Sequence, residues 1–274
     1  MSTQSMTAPR GRLNQAVSDG SVVAWRNLKR IPRIPELAIF AILQSIMFVL
    51  LFAFVFGGAI PLPGGGSYRE FLMPGIFAQT IAFAAATTAI GMTDDIGKGI
   101  IDRFRSLPMA RSAVLTGRVA ADVVYNAGIL IVLMLSGLAV GWSVHTNVLN
   151  FFAGVGLLLL FALAMTSIGV WLGMLVPTVE VANQVAFTAI FPITFLSNVF
   201  VPPETLPGWL QPVAEWNPVS TLTAATRDLW GNPNPVTGSG IPGEHPALVT
   251  IIWVVVIVAI FTPLAIRRYN SISR

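Results

Sequence analysis

The sequence predicts an all-α membrane protein with six transmembrane helices. Apolar residues make up 54% of its 274 residues and charged residues only 10%, and the mean hydropathy is +0.75. A soluble domain carries about 25% charged residues, so lipid is the expected main solvent of this chain. Six apolar stretches are long enough to cross a bilayer, and fourteen of the sixteen Lys and Arg residues lie at one side of them.

A transmembrane helix needs about 20 mostly apolar residues. The predicted spans cover residues 37–58, 71–92, 119–140, 148–176, 181–201 and 247–266. They define a transmembrane domain over 37–266, between a cytoplasmic arm over 1–36 and a cytoplasmic tail over 267–274. The arm contains an amphipathic interfacial helix, because one helical face is basic and another carries Val22, Trp25 and Leu28.

The distribution of basic residues predicts the orientation in the membrane. Six lie in the N-terminal arm, five between Lys98 and Arg118, and three in the tail. Cytoplasmic loops are enriched in Lys and Arg, so both termini and the loop over residues 93–118 are expected in the cytoplasm. The basic residues flank the spans as orientation determinants do, and no nucleic-acid partner is expected.

Signatures of catalysis and cofactor binding are missing from the sequence. It has no Cys, which excludes disulfides and thiolate metal sites, and its two His residues fall in predicted external loops. The stretch Gly91–Gly99 resembles a phosphate-binding loop, but its spacer is one residue too long and it lacks the Ser or Thr that would hold Mg²⁺. The chain is therefore expected to be neither an enzyme nor a cofactor-binding protein.

The loop after the second span predicts a short amphipathic helix that ends at Pro108. Four apolar residues share one face, namely Ile100, Ile101, Phe104 and Leu107. Polar and basic residues, including Lys98 and Arg105, occupy the rest. Such a helix either lies on the membrane surface or docks in a groove on a cytoplasmic partner.

Two further groups of residues are functional candidates. Polar side chains inside the spans are few, and those expected to line a translocation path are Gln79, Thr87, Asn183, Gln184 and Asn198. The external segment after the fifth span predicts short helices at, or dipping into, the outer interface, with Leu206, Trp209, Leu210 and Trp216 at roughly helical spacing.

The role of Asp122 and the role of a glycine motif in the spans each have two interpretations. Asp122 is either a functional intramembrane acid or the partner of Arg118, which lies one helical turn earlier. The motif Gly169-x-x-x-Gly173 permits close helix approach, within the chain or between copies. The scarcity of buried acids disfavours an ion-coupled transporter.

Three landmarks resemble the type-2 permease subunits of ABC exporters, and most closely their daunorubicin-resistance branch. The first is the stretch Lys98–Arg111 with Leu115–Arg118 and Asp122, the second runs from Phe195 through Pro218 to Arg227, and the third, weaker one is Met73–Ile76. Where many type-2 permeases have a Glu near the head of the coupling loop, this chain has Lys98 and Gly99. The resemblance extends from the first span to the end of the chain.

The resemblance implies a permease in the bacterial plasma membrane that moves amphipathic drugs, lipids or glycolipids out of the cytoplasm or inner leaflet. Its implied partners are membrane lipids, a second permease subunit and two cytoplasmic ABC ATPase subunits, which would bind ATP and Mg²⁺. The helix over 98–108 would couple to the ATPase, and the segment after span five would form short re-entrant helices as an outer gate. The alternatives are a membrane-embedded enzyme acting on lipid or polyprenyl substrates, or an ion-coupled transporter.

Overall fold

A computed structural model describes residues 20–26, 35–56, 65–105, 111–200, 202–203, 206–235 and 240–271. These parts of the chain are helical, with turns between the helices and no strand. The first helix, α1, covers residues 20–26. The others are α2 (Pro35–Leu50, continued by a π-helical turn over Leu51–Phe56), α3 (Tyr68–Ala82), α4 (Ala84–Gly97), α5 (Ile100–Arg105), α6 (Arg111–Val140), α7 (Val148–Gly173), α8 (Val179–Phe195), α9 (Gln211–Trp216), α10 (Pro218–Trp230), α11 (Ile241–Glu244) and α12 (Pro246–Ser271).

Four helical segments of the described chain are long and apolar enough to cross a membrane. They are Tyr68–Gly97, Val114–Val140, Val148–Gly173 and Pro246–Ser271. The fifth predicted span is α8, whose 17 residues extend about 26 Å, slightly less than a hydrocarbon core of about 30 Å. The first predicted span corresponds to α2 and its π-helical turn. The all-helical membrane fold is thus confirmed, while the count of six spans and the orientation of the termini stay predictions.

The second span is made of two helices, a division that the hydropathy pattern does not reveal. α3 ends and α4 begins at Phe83, whose N–H donates to the carbonyl oxygens of Gln79 and Ile81. α4 then packs tightly on α7, because Gly169 and Gly173 let the two backbones approach. A Cβ on Gly169 would lie 2.4 Å from the carbonyl oxygen of Ala85, so this glycine motif serves packing within the chain.

The segment between α8 and α12 contains short helices, as its Trp and Leu spacing predicts, and one longer helix. α10 is buried along almost its whole length against α3, α7 and α12. Its C-terminal Trp230 packs edge-on against Phe77 and Trp142, with ring centroids 5.9 and 5.3 Å apart. Residues 232–235 are irregular, and the single helical turn α11 begins at Ile241.

Candidate functional site

A cavity of about 420 Å³ lies among α2, α3, α4, α6 and α8. Its aromatic wall is made of residues from three helices and the α3–α4 junction, namely Phe48, Phe83, Tyr125, Phe187, Phe191 and Phe195. Phe83 and Phe187 face each other with ring centroids 5.3 Å apart, and Phe191 stacks on Phe195 at 4.2 Å. Planar apolar groups are the ligands that such a wall favours.

Neutral polar side chains interrupt the aromatic wall. They are Gln44, Gln79, Thr80, Thr87 and Asn126. Gln79 is only 6% exposed, and its carbonyl oxygen accepts the hydrogen bond that ends α3. The break at Phe83 places Gln79 and Thr87 on either side of the junction, both facing the cavity. The described lining carries no formally charged side chain, so its polar groups can orient a ligand only through hydrogen bonds.

The structure brings together only part of the predicted translocation path. Gln79 and Thr87 line the cavity, whereas Asn183 and Gln184 are exposed on the first turns of α8. Asn198 is buried at the outer end of the fold and lies outside the cavity lining. The sequence reasoning overlooked the aromatic residues of α8, although Phe187, Phe191 and Phe195 recur every four residues.

An ion network lies below the cavity, at the end of α4 and the start of α6. The Arg118 guanidinium donates to Asp95 Oδ2 at 2.8 Å and to Asp122 Oδ2 at 2.9 Å. Thr88 Oγ1 donates to the same Asp122 oxygen at 2.8 Å. The interpretation that Asp122 pairs with Arg118 is therefore confirmed, and Asp95 joins them from the neighbouring helix. Gly91 leaves room for the guanidinium, because a Cβ there would lie 2.1 Å from Arg118 Nη2.

The acids needed for a membrane-embedded enzyme do not converge on an open site. Asp95 and Asp122 bind Arg118, and Asp94 Oδ2 lies 2.8 Å from Lys98 Nζ. Within the described residues no group of three His, Asp or Glu side chains could hold a metal ion.

α5, which belongs to the segment predicted to couple to the ATPase, follows α4 after a sharp turn. Gly99 has a φ of +65°, a backbone conformation that favours glycine, and it reverses the chain between the two helices. Lys98 is exposed and Ile100 half-buried, whereas Ile101 is only 4% exposed and packs among Met92, Val114 and Tyr269. The structure describes the backbone of Phe104 and Arg105 but not their side chains, and Leu107 lies outside the described residues.

The predicted outer-gate residues differ in exposure. Trp209 is 77% exposed and Trp216 50% exposed, whereas Leu206 and Leu210 are half-buried. The segment is tied to both neighbouring spans. Asn217 Nδ2 donates to the carbonyl oxygen of Ile193 in α8, and Trp253 Nε1 of α12 donates to that of Trp216.

A buried arginine, Arg227 of α10, fixes the turn that follows α8. Its Nε donates to the Phe71 carbonyl oxygen at 2.8 Å, and its Nη2 donates to those of Asn198 and Val199 at 3.1 and 3.3 Å. The guanidinium also lies over the Phe71 ring, 3.6 Å from its centroid. No carboxylate of the described chain lies within ion-pair distance of Arg227. Carbonyl dipoles and an aromatic face therefore offset its charge.

The family model of ABC-2 type transporters matches residues 20–229. The chain belongs to the ABC-2 type transporter family. It is 29% identical over 256 residues to the daunorubicin resistance ABC transporter permease protein DrrB1 of Streptomyces coeruleorubidus, covering 93% of this chain and 87% of that protein. It is 23% identical over 234 residues to the probable doxorubicin resistance ABC transporter permease protein DrrC of Mycobacterium tuberculosis, covering 84% and 82%. A third relative, the putative transport permease ycf38 of Cyanophora paradoxa, is 24% identical over 218 residues, covering 77% and 73%.

This membership confirms the resemblance to type-2 permeases and to their daunorubicin-resistance branch. The ABC-2 permease is a multi-pass protein of the cell membrane and belongs to a family of transport permeases rather than enzymes. The roles of individual residues are not settled by membership. The aromatic cavity and the α4–α5 junction are two places among the described residues where the geometry bears on function.

Proposed function

We propose that this permease is the membrane-spanning subunit of an ATP-driven exporter of amphipathic aromatic compounds. The observation that carries the proposal is the aromatic cavity, which combines a wall of Phe and Tyr side chains with Gln, Asn and Thr side chains and no formal charge in its described lining. A planar ligand with a few hydrogen-bonding groups matches these walls. The names of two relatives support the same class, since they record daunorubicin and doxorubicin resistance.

The energy for export comes, in this proposal, from two separate ABC ATPase subunits that hold ATP and Mg²⁺. Two permease subunits, identical or homologous, complete the transporter. The continuity of α4 supports a mechanical link, because this helix carries Thr87 and Ile90 at the cavity and leads through Gly99 into α5. If the ATPase moves α5, the residues of α4 that line the cavity would move with it.

A reconstituted transport assay tests this function. The permease is purified with the ATPase subunit from its own source, and uptake of daunorubicin into inverted vesicles is measured with and without ATP. Thr87→Trp should fill the cavity and lower transport at least about tenfold, because a large side chain occupies the space of the ligand. The permease alone should hydrolyse no ATP.

Leu160→Trp is the matched control, since Leu160 is 48% exposed on α7 and lies outside the cavity lining. It should leave transport within about twofold of the wild type, as exposed substitutions usually have small effects. ATP-dependent transport that is unaffected by Thr87→Trp would place the ligand elsewhere. Absence of ATP-dependent transport for any amphipathic compound would contradict the exporter function itself.

The outer segment, in the same proposal, closes the external end of the path while partly embedded in the membrane. Trp209, Val213 and Trp216 leave at least half of their surfaces uncovered by the described chain, which is too much apolar surface for a free aqueous loop. An environment-sensitive fluorophore on Val213→Cys should emit as in an apolar medium, and one on Glu244→Cys as in water. Equal quenching of both by an aqueous quencher would show that the segment is an ordinary loop.

A further inference from the structure

We infer that Gln79 selects ligands at the aromatic cavity by pairing its side-chain amide with a neighbouring donor and acceptor on the ligand. The inference rests on the proposed function, because it names the chemical class that the same cavity binds. That class is a neutral planar ring system with an N–H and a C=O side by side, as in a lactam or a carboxamide. Such a ligand can accept one hydrogen bond from Gln79 and donate another to it.

Gln79 lies on the face of α3 that lines the cavity. Ile76, Gln79 and Phe83 follow one another by three and four residues, a spacing that places them on one side of a helix, and all three line the cavity. Gln79 is only 6% exposed, so protein atoms cover nearly all of its surface. A side chain that is buried to this degree and lines the cavity finds room for a further partner in that cavity.

The side-chain amide of Gln79 has no hydrogen-bond partner among the described residues. The backbone carbonyl of Gln79 accepts from the Phe83 N–H, but this bond uses neither the oxygen nor the nitrogen of the side chain. The large majority of buried side-chain polar atoms have at least one partner, and leaving one without a partner costs free energy. A ligand in the cavity can supply partners to both ends of the amide.

The two other side-chain amides of the described lining differ from that of Gln79. Asn126 Nδ2 donates to the Asp122 backbone carbonyl oxygen at 2.7 Å, so the nitrogen of this amide already has a partner. Gln44 is exposed and can reach partners outside the cavity. Gln79 is therefore the amide in the described lining that combines burial with an unused donor and an unused acceptor.

The chemistry of the amide and of its neighbours defines the ligand. A primary amide holds its oxygen and its N–H bonds at neighbouring positions, so a ligand edge with N–H next to C=O can form two hydrogen bonds with it. The rings of Phe83 and Phe187, with centroids 5.3 Å apart, add aromatic surface one helical turn from Gln79, which favours a flat ring system. A ligand without polar groups would leave the buried amide unpaired and bind more weakly.

Three probes with the same fused rings test this pairing. Phenanthridinone has a lactam edge, N-methylphenanthridinone keeps only the acceptor, and phenanthrene has neither group. Binding of each probe to the full-length permease, purified in detergent, is measured by equilibrium dialysis, with partition into empty micelles subtracted. Gln79→Met keeps the length of the side chain and removes the amide. It should weaken phenanthridinone about tenfold, N-methylphenanthridinone less, and phenanthrene less than about twofold.

Gln184→Met is the matched control, since Gln184 is exposed on α8 and lies outside the cavity lining. It should change binding of each probe less than about twofold. Equal losses for phenanthridinone and phenanthrene in Gln79→Met, or no loss for either, would overturn the selecting role of Gln79 while leaving the cavity as the ligand site. Failure of Thr87→Trp to reduce binding of the probes, or no saturable binding of phenanthridinone to the wild type, would remove the cavity, and the inference with it.

Discussion

Arg227 shows how a single buried charge can stabilise the outer end of this permease. Its guanidinium joins three backbone carbonyls from two separate parts of the chain, at Phe71 and at Asn198 and Val199. The Asn198 and Val199 carbonyls lie beyond the end of α8, whereas Phe71 lies in the first turn of α3. The rigid fork of a guanidinium can reach both parts at once, whereas the single ammonium of Lys cannot.

We expect Arg227→Lys to lower the free energy of unfolding by about 2 kcal/mol, because buried carbonyl oxygens lose their donors. Thermal unfolding of the detergent-purified permease would measure this loss. Arg69→Lys is the control, since within the described residues Arg69 makes one long hydrogen bond, 3.4 Å to the Val140 carbonyl oxygen, and lies 4.7 Å from the centroid of the Phe54 ring. Equal melting temperatures of both variants would show that Arg227 does not hold the turn.

The sequence predicted some of these residue roles but not others, for physical reasons. The pairing of Asp122 with Arg118 could be predicted because their spacing of four residues brings them together on any helix. The bond between Asp95 and Arg118 could not be predicted, since it depends on how α4 packs on α6. The contacts of Arg227 were also beyond prediction, because they join residues 156 and 28 positions apart along the chain.

At the scale of helices, the close contact of α4 with α7 connects the cavity to the rest of the bundle. Thr93 Oγ1 of α4 donates to the Gly173 carbonyl oxygen at 2.9 Å. Gly169→Ala would place a Cβ 2.4 Å from the Ala85 carbonyl oxygen, so the helices would have to separate. We expect a loss of about 1–3 kcal/mol of stability, as for other overpacked sites.

Gly156→Ala is the matched substitution on the same helix, because a Cβ at Gly156 would meet nothing within 4 Å. Its melting temperature should equal or exceed that of the wild type, since Ala has the higher helix propensity. Both variants are measured by the loss of monodisperse protein after heating. A Gly169→Ala protein as stable as Gly156→Ala would mean that α4 and α7 adjust without cost.

The apolar residues of α5, the predicted coupling helix, are expected to have two roles. Ile101 packs inside the permease, a contact that orients the helix rather than docking it to a partner. Phe104 stays the predicted anchor in the ATPase groove. We expect Phe104→Ala to weaken assembly with the ATPase by at least about 2 kcal/mol, as truncated aromatic anchors often do. Ultracentrifugation of the two purified subunits would measure the dissociation constant.

Ile101→Ala provides the comparison for Phe104→Ala. It should lower the melting temperature of the isolated permease, because truncating a buried Ile to Ala lowers the stability of a protein by about 2–5 kcal/mol. Phe104→Ala should leave that temperature unchanged. If Phe104→Ala instead destabilises the isolated permease and binds the ATPase normally, the apolar face of α5 serves internal packing and the docking surface lies elsewhere.

For the whole molecule, hydropathy identified the four helical segments that are long enough to cross a membrane, and the distribution of charge predicts their orientation. The break at Phe83 and the buried helix α10 were not predictable, because neither has a distinct hydropathy signal. The structure describes four clear spans, and two shorter apolar helices leave the number of crossings open. If α2 and α8 did not cross, the basic N-terminal arm and tail would lie on the side opposite Lys98, against the positive-inside rule.

Single cysteines in this Cys-free chain can decide between four and six crossings. With six crossings, Lys98→Cys, Pro177→Cys and Asn270→Cys lie in the cytoplasm and react with a membrane-impermeant maleimide only in opened cells. His145→Cys and Glu244→Cys should react in intact cells. Labelling of Asn270→Cys in intact cells would mean four crossings and an external tail. Because α8 is the only predicted span between residue 177 and residue 244, unequal labelling of those two positions is the direct evidence that this 17-residue helix crosses the membrane.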